Sequence, residues 1–156
     1  MNITVLAVGN KMPRWVDEAV QEYAKRFGRD VQYTLKEIKP EKRGAGVNAA
    51  QGMAAEEKRI VEALPDNAFL VVLDERGKAP TSVELAQYMQ RWQQDGEHVC
   101  FVIGGADGMT DALKQKARLM LRLSNLTLPH GMVRVLLTEQ LYRAVSILQN
   151  HPYHRE

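Results

Sequence analysis

Residues able to do chemistry crowd into the last third of this 156-residue chain. A glycine turn, Ile103-Gly104-Gly105-Ala106-Asp107-Gly108, precedes Leu123-Ser124-Asn125-Leu126-Thr127-Leu128-Pro129-His130. A long apolar segment follows, containing Glu139-Gln140-Leu141-Tyr142-Arg143-Ala144, and the last residues are Asn150-His151-Pro152-Tyr153-His154-Arg155-Glu156. A Gly-Gly pair after a buried strand either lets a ligand approach bare backbone or serves a tight turn needing positive φ. His130 stands at a helix entrance, as a residue bonded to backbone or as a polar group facing a pocket. Arg143 is four residues from Glu139, so it either pairs with that carboxylate or anchors an anion. In the tail, Tyr153 can stack on a base, His154 can move a proton near neutral pH and Arg155 can bind phosphate. The plain alternative is an inert, frayed chain end.

Several chemistries find no support. The Gly104–Gly108 run lacks the dinucleotide spacing, and Gly77-Lys78 lacks the flanking residues of a phosphate-binding P-loop. His151 and His154 are three apart, but Pro152 between them works against a helix and no acidic or cysteine cluster completes a metal set, so no metal is expected. Ser124 lacks the flanking glycines of a nucleophile elbow.

The elements that must position these residues alternate. Asn2–Val8 reads as a strand, and a helix follows from about Pro13 to Phe27, with Trp15, Val16, Ala19, Val20, Tyr23 and Phe27 on its apolar face. Val31–Ile38 reads as a strand with one wet side, Lys39–Gly46 as a mobile polar loop and Val47–Leu64 as a surface helix. Ala68–Leu73 is a short apolar run suited to a central parallel strand, with Asp74–Lys78 as a loop after it. Thr81 and Glu84 form a capping box for a helix ending near Gly96. Val99–Ile103 is a further buried strand. Thr110 or Asp111 caps a helix to about Arg118, Met120–Leu123 is a fifth strand and Gly131–Leu148 the final helix. This order predicts an α/β fold, a mostly parallel sheet with helices on both faces, in one domain spanning residues 1–156. In such sheets ligands sit at the carboxyl ends of strands, which here are Leu73, Gly104-Gly105 and Leu123–Leu128.

Composition is ordinary for a globular chain, with 45% apolar residues and a net charge of +2. Charge therefore does not announce a nucleic-acid binder, although Lys36, Lys39, Lys42 and Arg43 before Gly44-Ala45-Gly46 form a basic loop. Such a loop either contacts phosphate or is simply solvated. The lone Cys100 excludes an internal disulfide and reads as a buried, inert thiol. No secretory leader and no membrane-spanning run is read, so a cytoplasmic location with no membrane is expected.

The order of motifs resembles the RlmH family of bacterial 23S rRNA pseudouridine N3-methyltransferases, within the SPOUT class. The likeness spans essentially the whole chain. It rests on Ala7-Val8-Gly9-Asn10-Lys11-Met12-Pro13, Lys42-Arg43-Gly44, Leu126-Thr127-Leu128-Pro129-His130, Val133-Arg134-Val135-Leu136, Leu141-Tyr142-Arg143-Ala144 and the terminal Asn150–Glu156. The resemblance implies a C-terminal trefoil knot, which no sequence pattern reveals, and a homodimer. It implies S-adenosyl-L-methionine held at Leu73, Gly104, Gly105, Leu123, Ser124, Asn125, Leu126, Thr127 and Leu128. It further implies methylation of 23S rRNA within the assembled 70S ribosome, with His154, Tyr153, Arg143 and His130 as catalytic candidates. Arg155, Lys42 and Arg43 are the RNA-binding candidates. The sequence departs from the family pattern at Ala106-Asp107, where Pro-Glu is expected, and at Asn125, where Ala is expected. Two rivals stand beside this reading: a ribosome-binding factor without catalysis, and a methyltransferase for another RNA position.

Overall fold

Alternation along the strands decides how the chain layers. A computed structural model describes residues 1–44 and 46–155; Ala45 of the basic loop and the terminal Glu156 lie outside the described residues. Five strands, β1 (Asn2–Val8), β2 (Gln32–Ile38), β3 (Phe69–Lys78), β4 (His98–Ile103) and β5 (Leu119–Leu121), form one sheet in the order β2-β1-β4-β3-β5. Every pairing among them is parallel. Because successive strand residues face opposite ways, Ile3, Val5, Ala7, Val99, Phe101 and Ile103 point to one side. There they meet α3 (Ser82–Gln94) and α5 (His130–Leu148), while α1 (Arg14–Ala24) packs against α5. Leu6, Val8, Leu70, Val72, Cys100 and Val102 point to the other side, toward Ile60 of α2 (Ala49–Ala63) and Leu113 of α4 (Asp111–Lys116). Burial lifts the Cys100 thiol to about 12, an inert side chain as expected. No helix among the described residues is long and apolar enough to cross a membrane.

Thr81 and Glu84 form the expected capping box, with the Glu84 N–H on Thr81 Oγ1 at 3.1 Å and the Thr81 N–H on Glu84 Oε1 at 3.0 Å. A second box, Asn48 with Gln51, was not read from the sequence. Thr110, rather than Asp111, caps α4.

Three expectations need correction. Residues 74–78 are not a free loop, since β3 continues to Lys78. Both Leu73 and Lys78 pair with Leu121, so the intervening residues bulge, and the Arg122 N–H reaches the Lys78 carbonyl at 2.7 Å. Polar composition hid this because the edge strand β5 supplies the partners. Gly77 lets the two backbones cross: a Cβ there would lie 2.7 Å from Leu121 backbone atoms. Trp15, read as part of an apolar face, is 51% exposed, and Val16 and Val20 fill that role instead. Pro152 does not block helical structure either. It opens a 3-10 turn, Pro152–Arg155, where the first residue needs no N–H.

Candidate functional site

The strands β1, β4 and β5 deliver their carboxyl ends, and β3 its bulge from Leu73 to Arg76, to one cleft of about 1080 Å³. Leu73, Gly104, Gly105, Leu123, Ser124, Asn125, Leu126, Thr127 and Leu128 all line it, and so do Gly9, Asp74 and His130. The nine sequence-predicted cofactor positions and His130 are thus brought together. Cβ atoms at Gly104 and Gly105 would lie 3.0 Å from Met109 Cγ and from Val8 Cγ1. The positive φ of this turn sits at Gly108 (φ 80°), so close packing explains the Gly pair and turn geometry does not. Ser124 Oγ accepts the Leu126 N–H at 2.9 Å and shapes the second loop, whose Leu126 is 77% exposed.

Charges around the cleft are tied down. Asp74 accepts from Lys114 at 2.9 Å and from the Arg76 N–H at 2.8 Å. Burial works against its charge, but these two donors win and hold the carboxyl below its ordinary range. Arg43 bonds Asp107 at 2.7 Å and reaches Glu56, a carboxylate only 3% exposed, at 3.3 Å. These two carboxylates hold the Arg43 guanidinium above its ordinary value, Asp107 first. The basic loop is thereby strapped to the glycine turn through Arg43, while Lys42 is exposed.

His130 accepts from Arg134 Nε at Nε2 (2.9 Å) and meets the Gly104 carbonyl at Nδ1 (3.2 Å). A carbonyl only accepts, so Nδ1 carries the proton. Burial, then the Arg134 charge, lower its pKa against the opposing pull of the Gly104 carbonyl and Glu37. Arg134 itself is 1% exposed and bonds Glu37 at 2.8 Å.

Arg143, Tyr153, His154, Arg155, Lys42 and Arg43 do not line this cleft. Arg143 pairs with Glu139 at 2.7 Å, as the four-residue spacing allows. Tyr153 donates to the same Glu139 oxygen at 3.0 Å, lies edge-on to Tyr142 and carries the Arg143 guanidinium 4.8 Å above its ring. Burial, then the Tyr23 and Glu139 side chains, raise its phenol pKa, so it stays protonated. His154 buries an Nδ1 that has no partner among the described residues. Glu139 lies about 14 Å along α5 from His130, at ~1.5 Å per residue. Sequence reasoning gave no role to Glu37, Arg134, Asp74 or Glu56. The available signal was Arg134, a charge inside the apolar run Val133–Leu137. Among the described residues, no three metal-binding side chains gather.

This geometry agrees with three comparisons. The family model described as "Predicted SPOUT methyltransferase" matches residues 1–154. The chain is 86% identical over 156 residues to the ribosomal RNA large subunit methyltransferase H of Neisseria meningitidis, covering 100% of both. It is 65% identical, again over 100% of both, to the protein of that name from Chromobacterium violaceum. The crystal structure of a probable methyltransferase from Bordetella pertussis Tohama I superposes with a TM-score of 0.56, covering 92% of this chain and 95% of that one. At 16% identity that likeness speaks for the fold. On the family match over residues 1–154 and the close relatives together, the chain belongs to the SPOUT methyltransferase family.

Proposed function

We propose that this chain is a cytoplasmic large-subunit rRNA methyltransferase that uses S-adenosyl-L-methionine to methylate N3 of a pseudouridine in 23S rRNA, on the assembled 70S ribosome. One observation carries the reading: a single cleft at the carboxyl ends of parallel strands gathers all nine expected cofactor positions. The residues present fit that cofactor. Gly104 and Gly105 line the cleft without side chains of their own, and the Asp74 carboxylate, kept ionised, suits a cationic ligand. Bound there, the cofactor supplies an activated methyl group on a sulfonium. The loops 104–108 and 122–128 would hold it, and the cleft is large enough to admit a nucleotide beside it.

The target nitrogen must lose a proton, so the reaction gains from a proton acceptor and from a cation beside the developing anion. Tyr153 and His154 are the groups we assign to organising the target nucleotide, with Arg143 and Arg155 holding phosphate or the anion. Their turn docks on Glu139, away from the cleft of the same chain. The reading therefore includes a homodimer in which one protomer's tail serves its partner's cleft. The half-exposed apolar residues Met132, Val135 and Leu136 on α5, a helix apolar nearly all round, support a partner face. The family's trefoil knot belongs to the same proposal, supported by the close backbone crossing at Gly77. Lys42 would contact RNA phosphate, and Arg43 would act from its place between Glu56 and Asp107. A net charge of +2 suits recognition of a shaped surface more than a grip on bare RNA.

The test is labelled S-adenosylmethionine offered with assembled 70S ribosomes and, separately, free 23S rRNA, both from cells lacking the activity. Label on a pseudouridine in assembled ribosomes is the expected result. Cofactor binding without label would assign the enzyme to another RNA, and absence of both would leave a binding factor.

A further inference from the structure

We propose that Glu37, Arg134 and His130 form a positioning relay that aims the Gly104–Gly105 peptide at the ligand in the cleft, and that His130 takes no proton from the substrate. The inference rests on the cofactor reading of the cleft. The relay follows from two periodicities. His130, Arg134 and Thr138 are four residues apart on α5 and share one side of it. Tyr33, Leu35 and Glu37 alternate along β2 and share the face that α5 covers. Their side chains meet: Tyr33 and Thr138 hydroxyls lie 2.6 Å apart, and Arg134 Nη1 donates to Glu37 Oε2 at 2.8 Å. The Thr138 hydroxyl bonds back to the Arg134 carbonyl at 2.8 Å.

Arg134 is the largest fully buried side chain in the molecule's described part. Burying a guanidinium is costly, and an apolar residue of like volume would pack this helix at least as well. Its Nη2 has no hydrogen-bond partner among the described residues, and it lies so close under Gly9 that a Cβ there would be 2.8 Å away. Such a group is retained for what it orients. Here it occupies the His130 Nε2 lone pair and leaves Nδ1–H for the Gly104 carbonyl.

Both imidazole nitrogens are therefore engaged within the protein. Protonating Nε2 would set an N–H against the Arg134 Nε–H, a donor facing a donor. The charged groups facing the ring are Arg134 on its own helix and Glu37 from β2, with the Gly104 carbonyl from the end of β4. The guanidinium never deprotonates, so the ring stays neutral at working pH. The peptide after Gly104 is planar and trans, so holding its oxygen also fixes the direction of the Gly105 N–H. A cleft wall made of glycine backbone needs such a brace, because glycine supplies none of its own.

The experiment compares His130→Leu with His130→Asn in the full chain. Asparagine keeps an N–H near the Nδ1 position but has no imidazole. The relay predicts that His130→Leu weakens S-adenosylmethionine binding by calorimetry about tenfold, the worth of one buried hydrogen bond. His130→Asn recovers most of that loss, and both defects fall on KM for the cofactor more than on kcat. Glu37→Gln, at a half-exposed position safe for folding, weakens binding in the same direction by a smaller factor. Nitrogen NMR of the unliganded wild type is expected to show the neutral Nδ1–H tautomer, persisting below about pH 6.5. Equal loss of kcat in both His130 variants, with unchanged cofactor affinity and a lost acidic limb in the pH profile, would make His130 the base and overturn the relay. So would a His130→Leu protein that binds cofactor as wild type does, or an Nε2–H tautomer. A wild type showing the Nδ1–H tautomer but no cofactor binding would overturn the cofactor reading and the relay's purpose while leaving its geometry.

Discussion

The cleft and the C-terminal turn attach to opposite stretches of the same helix, yet they are built differently. At the cleft end of α5, the walls include two loops, a glycine pair and a carbonyl held by His130. Around Glu139, the surface is side chain: two tyrosine rings, the Arg143 guanidinium and a carboxylate accepting from both Arg143 and Tyr153. A backbone-built site is fixed by the sheet and tolerates changes of side chain while resisting added volume. A side-chain cluster gains function from each group and can repack or detach. That is the difference expected between a place that holds a cofactor and a segment that engages a changing partner.

The comparison breaks first at Gly77. Alanine there would set a Cβ 2.7 Å from the backbone of Leu121 and Met120, with no flexible tip to move aside. The expected cost is about 3 kcal/mol of unfolding free energy, from overpacking at a backbone crossing. Urea denaturation measures it, and a cost under about 0.5 kcal/mol would show that the cleft wall is not rigid. A pair of variants then separates the two regions by function. Gly104→Val pushes on Met109 and on the Gly108 backbone, so cofactor affinity should fall about a hundredfold while the tail stays docked. His154→Ala should do the reverse, leaving affinity near wild type and slowing methyl transfer about a hundredfold. Unchanged turnover in His154→Ala would remove the tail from the chemistry.

The sequence revealed these two regions unequally, for physical reasons. Strands covered on both faces, such as Val99–Ile103, are runs of apolar residues with few readings, and the cleft follows from where they end. Thr81 and Glu84 announced a helix start because capping is local. The extension of β3 was hidden because Lys78 pairs with Leu121, more than forty residues away, across a bulge of polar residues, and polarity says nothing of such a partner. The relay was hidden for a related reason. Arg134 stood out in an apolar run, but Glu37 lies ninety-seven residues earlier and its strand faces water on one side. Trp15 misled because its size suggests burial while its place at the start of α1 exposes it. The tail residues were legible as chemistry, but their docking on Glu139 depends on a turn that Pro152 opens.

A smaller effect tests whether the tail stays where it is docked. Tyr153→Phe removes one donor from Glu139, which keeps Arg143 and Gln140 as partners and so is not stranded. The expected loss is about 1 kcal/mol, one ordinary hydrogen bond. Thermal or urea unfolding of the two proteins reads it directly. A loss under about 0.3 kcal/mol accompanied by reduced turnover would mean that Tyr153 leaves Glu139 in the working assembly, as a tail acting in a partner's cleft requires.

The smallest expected effect separates the cleft by its response to acid. The fold holds the His130 imidazole below its ordinary value of 6.5, through burial first and the Arg134 charge second. As pH falls past about 6.5 the unfolded chain takes up a proton that the folded chain refuses, so unfolding is favoured. The contribution of His130 to stability is therefore whole above about pH 6.5 and declines as pH drops toward the folded value. Carboxylates such as Asp74, held low by Lys114 and the Arg76 N–H, titrate further down. Urea midpoints of wild type and His130→Asn, followed from about pH 8 to about pH 5, isolate the effect, because asparagine does not titrate. The wild type's advantage should narrow with acid. An advantage that stays constant would mean that the ring charges as freely in the fold as outside it. The cleft would then lack the fixed neutral donor that distinguishes it from the Glu139 cluster.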